Sequence, residues 1–459
     1  QLYIAGGGEV CSASDFWNEP EGSYREIFQN ISKEISFKKL HRYSPKQVIK
    51  LNHSGMPDGE RECSICHRHD YLKDGETECE ICWTLKQMSG NILKGDFFTV
   101  TSKKEKTCLP LPGNCYLVTD TESTLRKRMK EDNYYIRSYS KNKPYSGYYV
   151  STKLWVGDYV NGETFEELGQ RATGIERIAV MRADVDNLGQ AFVRGFENEK
   201  NGSKYVTLSR TATFSRKLSM FFKYHINSLL KEGGYSILEE EAQMEKEDDR
   251  RNALIVYSGG DDIFIVGAWD DIIGFAVDLH DNLMEYSQDT LKISAGIGIY
   301  PSKYPISIMA RETGWLEEAA KSVEGKNAVA LFDEKYTFPW EEFIENVVEE
   351  KLYFIQKYFK VVDEKGKNFL YNLLELVRKR KGDKINIARF AYLLGRMEPK
   401  VQRGEKKEEI EEKRDLHREF SRKMYEWIRV EKDAKELEMA IYLYVYTKRE
   451  KEEHDGVNE

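Results

Sequence analysis

The pattern of hydrophobic and polar positions divides the chain into a stretch of alternating strands and helices and a later stretch of helices alone. Short apolar runs bounded by turn residues occur at 253–257, 263–267, 292–300 and 328–332, and each has the length of a buried strand. Segments with helical periodicity separate them. After residue 340 only helical periodicity is found, as in FLYNLLELVRKR and INIARFAYLLGRM. The pattern predicts an α+β part followed by an α-helical domain.

The order of the elements predicts the topology of the α+β part. The strand RIAVMRADVD precedes a long helix at about 204–231, and two strands joined by the turn SGGDD follow it. A helix at 269–288, the strand KISAGIGIY, a helix at 306–322 and a last strand complete the order. This is βαββαβ with one added helix and strand, the ferredoxin-like arrangement. We expect helices on one face of the sheet, a second face free for a substrate, and the first hairpin strand close to the strand that ends in RADVD.

The pattern is less regular before residue 166. Residues 1–55 are predicted to contain a strand, a glycine-rich turn, a helix near 21–36 and an extended segment, and residues 96–165 contain short strand-like runs such as CYLVT. The acidic run at 239–251 is predicted to be a solvated loop. We place four domains at 1–55, 56–165, 166–338 and 339–459.

Four of the seven cysteines are spaced like the ligands of one metal ion. Cys63 and Cys66 form a first C-x2-C pair, and Cys79 and Cys82 form a second pair after twelve intervening residues. Two such pairs that converge give the tetrahedral thiolate site that zinc prefers, closed to water and therefore structural. The alternative is two unrelated pairs of reduced cysteines.

Composition and charge narrow the class of protein. The chain has 459 residues, of which 40% are hydrophobic and 32% charged, as in an ordinary globular protein with several domains. No run of 18 apolar residues and no signal peptide is found, so we expect no membrane association. The net charge of −8 argues against nucleic-acid binding by bulk charge, although it leaves room for local basic patches. Free cysteines beside a thiolate site indicate a reducing compartment, the cytoplasm.

Two pairs of carboxylates lie at the ends of predicted core strands. Asp184 and Asp186 alternate in RADVDNLG, so both side chains are expected on one face of the strand. Asp261 and Asp262 occupy the turn between the next two strands. Carboxylates that are brought together repel each other unless divalent cations neutralise them, and oxygen ligands favour Mg²⁺ or Mn²⁺. Two such ions can hold the attacking and leaving oxygens of a phosphoryl transfer.

The residues beside these acids are compatible with a nucleotide site. Gly259 and Gly260 would permit a backbone conformation closed to other residues and the close approach of a nucleotide. Ser258 offers a small hydroxyl, and Lys326 in EGKNA could contact a triphosphate as a point charge. The alternative is a hairpin turn whose acids face solvent. The joint presence of SGGDD, ADVD and GKN favours the nucleotide site.

These motifs together resemble a known protein family. SGGDD, MRADVDNLG, SAGIGIY and EGKNAV are similar to the second palm domain of the large subunit of type III CRISPR effector complexes. The cysteine pairs, LWVGDY and INIARFAYLLGRM resemble its III-A (Csm) branch, whereas a GGDEF-type diguanylate cyclase is not expected to carry them. The resemblance implies two ferredoxin-like palm domains of the polymerase or cyclase type. It implies that residues 1–55 and parts of 96–165 contribute to the first, followed by the zinc insert, the second palm and a helical C-terminal domain.

The resemblance also implies an activity. Such subunits are nucleotidyltransferases that join ATP through 3′–5′ linkages into cyclic oligoadenylates, the second messengers of an antiviral defence, when their complex holds target RNA. It implies that Asp184, Asp261 and Asp262 are catalytic metal ligands, that Asp186 is a further ligand, and that Lys326 contacts phosphate. The implied partners are ATP, guide RNA, target RNA and the other Csm subunits. The alternative is a catalytically idle scaffold that organises guide RNA and partner subunits.

Some motifs are interpreted without a function. Family members often begin with an HD nuclease domain, and we expect this chain to lack it, because no helical metal-binding domain precedes QLYIAGGG. The His-Asp dipeptides at 69–70, 280–281 and 454–455 lack suitably spaced partners and are interpreted as coincidence. RKRK at 378–381 is interpreted as a solvated helix end and the alternating tyrosines of IYLYVYTKRE as a buried helix, with RNA contact or base stacking as the alternatives.

Overall fold

The computed structural model divides the chain into two compact units. One comprises Gln1–Val156 and Gly189–Met220, and the other Gly157–Leu188 and Phe221–Glu459. The residues that the structure describes are 5–18, 23–53, 62–67, 72, 75–131, 133–143, 150–162, 164–197, 200, 202, 204–239, 250–362, 368–399 and 407–449. Among these residues, every helix is too short or too polar to span a lipid bilayer.

The first unit contains a five-stranded sheet with the order β2-β3-β1-β4-β5. Its strands are β1 (Phe97–Thr101), β2 (Leu109–Leu111), β3 (Cys115–Asp120), β4 (Tyr135–Lys141) and β5 (Val150–Leu154). Its helices are Ala13–Asn18, Ser23–Leu40, Pro45–His53, Glu80–Lys94, Glu122–Glu131 and Leu208–Met220, and the short helix Leu188–Arg194 begins at the boundary of the two units.

The regular secondary structure described in 1–55 is all helical. The helix predicted near 21–36 is present as Ser23–Leu40, but the extended segment predicted after it is wrong, because Pro45–His53 is a helix. Its start has a capping box: the Gln47 N–H donates to Ser44 Oγ at 3.3 Å, and the Ser44 N–H donates to the Gln47 side chain at 2.8 Å. Together with proline at the first helical position, this reciprocal pair fixes the helix start.

The sheet of the first unit lies outside 1–55. The strand predicted in QLYIA falls almost entirely on residues 1–4, outside the described residues. The sheet falls between residues 97 and 154, in the second of the two stretches expected to contribute to a first palm domain. The four domain boundaries therefore stay predictions.

The second unit contains a six-stranded sheet with the order β11-β10-β9-β6-β8-β7. Its strands are β6 (Ile178–Val185), β7 (Ala253–Ser258), β8 (Asp262–Ala268), β9 (Ile293–Tyr300), β10 (Ala328–Leu331) and β11 (Thr337–Pro339). The neighbours β9-β6-β8-β7 are antiparallel, and β10 adds in parallel to β9. The predicted ferredoxin-like order with one added helix and strand is confirmed.

Two details of the predicted sheet are wrong. The strand beside β6 is the second hairpin strand, β8, whereas the first, β7, lies at the sheet edge beyond it. The cause is topological, because the helical crossover from β6 leaves a gap that β8 fills from the hairpin. The face expected to be free is also partly covered, because the helix Ile306–Lys321 contacts Asp184 through Lys321.

The remaining helices of the second unit follow the predicted order. The helices are Phe165–Gln170, Ile226–Glu232, Trp269–Ser287, Ile306–Lys321, Tyr353–Val361, Asn368–Lys379, Ile385–Gly395, Lys407–Arg429 and Glu431–Lys448, with π-helical turns at Phe221–His225 and Glu342–Leu352. The long helix predicted at 204–231 is observed as three consecutive segments with the first π-helical turn in the middle. Every described element after β11 is helical, which confirms the α-helical C-terminal domain.

The basic run RKRK at 378–381 and the tyrosines of IYLYVYTKRE contact residues of their own helical domain. Arg378 pairs with Glu438 at 2.8 Å, and Lys381 pairs with Glu431 at 2.6 Å, as in a helix end held by its own domain. Tyr444 is buried and stacks on Phe359, which confirms the buried helix.

Only Glu239, Arg250 and Arg251 of the acidic run at 239–251 belong to the described residues. Residues 240–249 lie outside the described residues, so the predicted loop is not tested there. At its end the prediction is wrong, because Arg251 is buried and pairs with Asp278 at 2.5 Å. A buried guanidinium with a carboxylate partner contributes to the core of the domain rather than to a solvated loop.

Candidate functional site

Three carboxylates, which we call the acid cluster, meet at one edge of the second sheet: Asp184, Asp261 and Asp262. Asp184 and Asp262 are directly paired residues of β6 and β8, and the Val185 N–H donates to the Asp261 carbonyl oxygen at 3.2 Å. All three acids line one cavity of about 480 Å³. The two motifs ADVD and GGDD therefore meet in space, as their positions at strand ends predicted.

The electrostatics of the acid cluster favour a bound cation. Burial, together with the nearby charges of Asp184 and Asp262, raises the pKa of the Asp261 carboxyl. Partly desolvated acids that repel one another are stabilised when a cation neutralises them. The donors are carboxylate oxygens in an open cavity, and they fit Mg²⁺ or Mn²⁺ better than zinc. The residues present thus fit the divalent cation that the sequence predicted.

A lysine that sequence reasoning missed lies at the acid cluster. Lys321 ends the helix Ile306–Lys321, and its Nζ lies 2.7 Å from Asp184 and 2.5 Å from Glu317. Although burial lowers it, the hydrogen bonds to these two carboxylates raise the pKa of Lys321 above its usual range, so the side chain is charged. The sequence carried a weak signal, an i,i+4 Glu–Lys pair near the end of a helix that follows a core strand.

The structure places Lys326 and Asp186 outside the lining of the cavity. Lys326 Nζ donates to the Asn187 side chain at 2.8 Å. Asp186 is buried, and it accepts hydrogen bonds from Ser294 Oγ at 2.9 Å and from the Asn327 N–H at 3.0 Å. Asp186 lies just past the end of β6, and Ser294, which bonds to it, is the residue of β9 paired with Asp184, in agreement with the expectation that both acids share a face. The role of Lys326 as a phosphate contact and the role of Asp186 as a metal ligand stay predictions.

The signature turn SGGDD differs from expectation at three residues. Ser258 Oγ donates to the carbonyl oxygen of Phe222 in the first π-helical turn and does not line the cavity. Neither Gly259 nor Gly260 has a positive φ, so the predicted conformational reason for these glycines is wrong. Among the described residues, no heavy atom lies within 4 Å of the position that a Cβ of Gly260 would occupy, which is compatible with the close approach of a ligand.

Gly259 is required for space. A Cβ there would lie 2.5 Å from Asp262 Oδ1 and closer still to the Tyr257 hydroxyl. Burial first, and then the charge of Asp262 and a hydrogen bond to it, raise the pKa of Tyr257. Tyr257 is a second residue of the cavity that sequence reasoning missed. The glycine thus lets a tyrosine hydroxyl reach a carboxylate of the acid cluster.

The four predicted zinc ligands form one cluster in the first unit. The ligand atoms of Cys63, Cys66, Cys79 and Cys82 all lie within 4.8 Å of one another. The Cys79 N–H donates to Cys63 Sγ at 3.3 Å, and the Cys82 N–H donates to Cys79 Sγ at 3.4 Å. Backbone donors, that of Cys66 foremost, lower the pKa of Cys63 to about 6, whereas burial raises the pKa of Cys82. The alternative of two unrelated pairs is wrong, and the cluster fits a zinc ion.

The described His-Asp dipeptide does not belong to either cluster. His280 Nδ1 contacts Asp281 at 2.8 Å, and its ring stacks on Trp340 with a centroid distance of 5.0 Å. This packing agrees with the interpretation of coincidence. The dipeptides at 69–70 and 454–455 lie outside the described residues.

Comparisons with known proteins match both the sheet and the helical domain. The family model "Cas10/Cmr2, second palm domain" matches residues 177–330, and "CRISPR RNA silencing complex Cmr2 subunit, second helical domain" matches 356–450. A relative from Mycobacterium tuberculosis, described as a CRISPR system single-strand-specific deoxyribonuclease Cas10/Csm1 (subtype III-A), is 41% identical over 98% of this chain and 56% of its own length. The chain belongs to the Cas10/Csm1 family. A second Cas10/Csm1 relative, from Streptococcus thermophilus, is 39% identical over 97% of this chain and 55% of its own length.

Solved Csm1 structures share the fold of this Cas10/Csm1 chain. The apo Csm1–Csm4 cassette aligns with a TM-score of 0.62 and 22% identity, covering 96% of this chain and 56% of that one. The cassette in complex with cA4 aligns with a TM-score of 0.60 and 21% identity over the same shares. The predicted fold class of palm-type α+β structure, four-cysteine insert and helical C-terminal domain is confirmed. The chain spans about 56% of the length of these Cas10/Csm1 proteins.

Proposed function

We propose that this chain synthesises cyclic oligoadenylates from ATP as part of the large subunit of a type III-A effector complex that target RNA activates. The observation that carries the proposal is the acid cluster of Asp184, Asp261 and Asp262, gathered in one cavity at the edge of a ferredoxin-like sheet. Among the solved relatives, Csm1–Csm4 cassettes have been determined with one ATP and with cA4. These ligands belong to those proteins, and their occurrence in the same fold supports the choice of substrate.

The reaction joins two nucleotides at each step. The 3′-oxygen of one ATP forms a bond to the α-phosphorus of another while its proton passes to solvent, the bond from that phosphorus to the oxygen shared with the β-phosphate breaks, and pyrophosphate leaves with that electron pair. A last step of the same kind within one oligomer closes the ring. Asp184, Asp261 and Asp262 would hold Mg²⁺ or Mn²⁺, which would supply Lewis acidity to the 3′-hydroxyl and offset charge on the leaving group. Asp184, Asp261 and Asp262 provide the negative field and the oxygen ligands at this edge of the sheet. No protein side chain is assigned as a base.

The basic residues near the cavity balance the charge of the phosphates. Lys321 is charged and lines the cavity beside Asp184, where an anionic triphosphate would be attracted. Lys326 lies beside Asn187 at the end of the turn after β6, within the same unit, and we assign it a phosphate contact. The open space at Gly260 leaves room for a phosphate or ribose near the signature turn. Ser258 holds the turn against the π-helical turn rather than the nucleotide.

The proposal includes partners and a second metal. Zinc held by the four cysteines is structural, because four thiolates leave no position open for water. The partners are guide RNA, target RNA and other Csm subunits, and the occurrence of Csm1 with Csm4 in solved complexes supports a Csm4-type neighbour. A reducing cytoplasmic location agrees with the seven free cysteines.

The test is to remove two acids and measure product. In the assembled, target-bound complex with Mg²⁺ or Mn²⁺, the double change Asp261→Asn and Asp262→Asn should reduce conversion of radiolabelled ATP at least about 1000-fold, because about 4 kcal/mol of transition-state stabilisation is lost. Folding and assembly should persist, because the change relieves repulsion and removes no apolar contact. Asp281→Asn, an exposed acid of the same unit, is the matched control and should leave turnover unchanged. Wild-type turnover of the double variant would favour the scaffold.

A further inference from the structure

Four side chains of alternating charge contact one another along the wall of the acid-cluster cavity. Arg182 Nε lies 3.1 Å from one oxygen of Glu317, and Lys321 Nζ lies 2.5 Å from the other. The same Lys321 Nζ lies 2.7 Å from Asp184. All four residues line the cavity. Glu317, only 6% exposed, is the most buried of the four and joins the two cations.

The backbone around Glu317 is built for close packing. A Cβ at Gly296 on β9 would collide with the backbone N of Glu317. A Cβ at Gly314, one helical turn before Glu317, would lie 2.8 Å from Arg182 Nη1. Two glycines on facing elements thus let the helix approach the sheet and make room for the Arg182–Glu317 pair. The position of the Glu317 carboxylate is therefore fixed by backbone contacts as well as by its charge partners.

The sharing of Lys321 between two carboxylates has a consequence for cation binding. A divalent cation at the acid cluster competes with Lys321 for the same Asp184 oxygen. A partly buried ammonium that loses its only carboxylate partner pays a desolvation penalty, so it would resist displacement. Because Glu317 remains bonded to Lys321, the lysine can release Asp184 without becoming unpaired.

We propose that Glu317 is a positioning residue of the acid cluster, which retains Lys321 when a divalent cation takes its place on Asp184. The inference rests on the proposed function, because it assumes that the acid cluster binds the cation. It makes Glu317 act through Lys321 and not as a ligand. Its effect should therefore depend on whether Lys321 is present.

The experiment measures Mn²⁺ affinity of the full 459-residue chain by electron paramagnetic resonance, without nucleotide. Glu317→Gln should weaken Mn²⁺ binding about tenfold, the scale of one charge-assisted hydrogen bond. Lys321→Met should tighten it, because the competitor is removed. In the Lys321→Met background, Glu317→Gln should change the affinity less than about twofold, since the two residues act as one unit.

Glu318→Gln is the matched control. Glu318 lines the same cavity and is exposed, so its removal takes the same charge from the same wall. It should change the affinity less than about twofold. If Glu317→Gln and Glu318→Gln weaken binding equally, or if the Glu317→Gln effect persists without Lys321, Glu317 acts only through its field and the proposal is overturned. If Glu317→Gln does not fold, the Mn²⁺ affinity of Lys321→Met decides. Unchanged or weaker Mn²⁺ binding by Lys321→Met would show that Lys321 does not compete with the cation, and the proposal would be overturned.

The same assay separates this inference from the proposed function. The double change Asp261→Asn and Asp262→Asn should abolish Mn²⁺ binding at the cavity. If it does not, the acid cluster is not the cation site and the proposed function fails with the inference. If it does, and the coupling between Glu317 and Lys321 is absent, only the inference fails.

Discussion

The cysteine cluster of the first unit and the acid cluster of the second both gather like ligands, and they do so by different means. The four cysteines come from 20 consecutive residues, 63–82, and two of their sulfurs accept backbone N–H bonds. The acids come from the end of β6 and, 77 and 78 residues later, from the turn before β8 and the first residue of β8, and they line an open cavity. A closed site of this kind stabilises a fold, whereas an open one leaves coordination positions to a substrate.

The largest expected effect concerns the closed cluster. Cys66→Ser should reduce bound zinc from about one equivalent to a small fraction, because three thiolates bind the ion much more weakly than four. Metal binding contributes directly to folding in such sites, so stability of the first unit should fall by several kcal/mol. Metal analysis of the purified protein and limited proteolysis of the residues around the cluster are the measurements.

Cys115→Ser is the control for the zinc prediction. Cys115 is a half-buried cysteine of β3 outside the cluster, so its change should leave zinc content and proteolysis unaltered. Fresh protein that holds no zinc, or a Cys66→Ser variant with a full equivalent, would show that the four sulfurs are not one site.

The contrast also explains which parts of the two sites the sequence predicted. The cysteine cluster depends on local spacing, which is read directly from C-x2-C pairs. Asp184, Asp261 and Asp262 were predicted because strand ends of one sheet converge. Lys321 and Glu317 were missed because they reach the site through packing of a helix against the sheet, and their local signal, an i,i+4 Glu–Lys pair, is weak.

Other errors have equally physical causes. Asp186 was named as a ligand beside Asp184, but it follows the end of β6, and its carboxylate accepts hydrogen bonds from Ser294 and Asn327 outside the lining of the cavity. The role of Ser258 depends on the π-helical turn Phe221–His225, and helical periodicity alone does not reveal a π-helical turn. The helix Pro45–His53 was predictable, because Ser44 and Gln47 form a capping box whose signature is present in the sequence.

A smaller effect is expected at the signature turn of the acid cluster. Gly259→Ala should lower oligoadenylate synthesis about 10- to 100-fold, because the new Cβ would displace the Tyr257 hydroxyl and Asp262, and small misplacements at a reacting centre are costly. Turnover of radiolabelled ATP by the assembled complex is the measurement.

Gly260→Ala sharpens the test at the turn. A Cβ at Gly260 would meet no described atom within 4 Å, so the Gly260→Ala protein should fold normally. Any loss of activity in that variant would indicate that a substrate group lies close to the turn. Equal and full activity of both alanine variants would contradict the account of Gly259.

The smallest expected effect is on the stability of the metal-free protein, and it distinguishes the acid cluster from the cysteine cluster. The open acid cluster should destabilise the protein when no divalent cation is bound, because burial and the charges of Asp184 and Asp262 raise the pKa of Asp261 above its ordinary value of 3.8. A carboxyl with a raised folded pKa binds its proton more tightly in the folded state than in the unfolded state. Its penalty is therefore absent below the unfolded pKa and is fully present once the pH has risen through the folded pKa.

Asp261→Asn should consequently stabilise the metal-free protein at pH 7. The gain should be below about 1 kcal/mol, since solvent screens this partly exposed group. Thermal unfolding in buffer without Mg²⁺ or Mn²⁺ measures it, and the difference from wild type should shrink as the pH approaches 3. Addition of Mn²⁺ should reverse the order, because wild type binds the ion and the variant binds it less well. If Asp261→Asn is less stable than wild type without the ion, Asp261 stabilises the metal-free fold, and the predicted destabilisation by its charge is wrong.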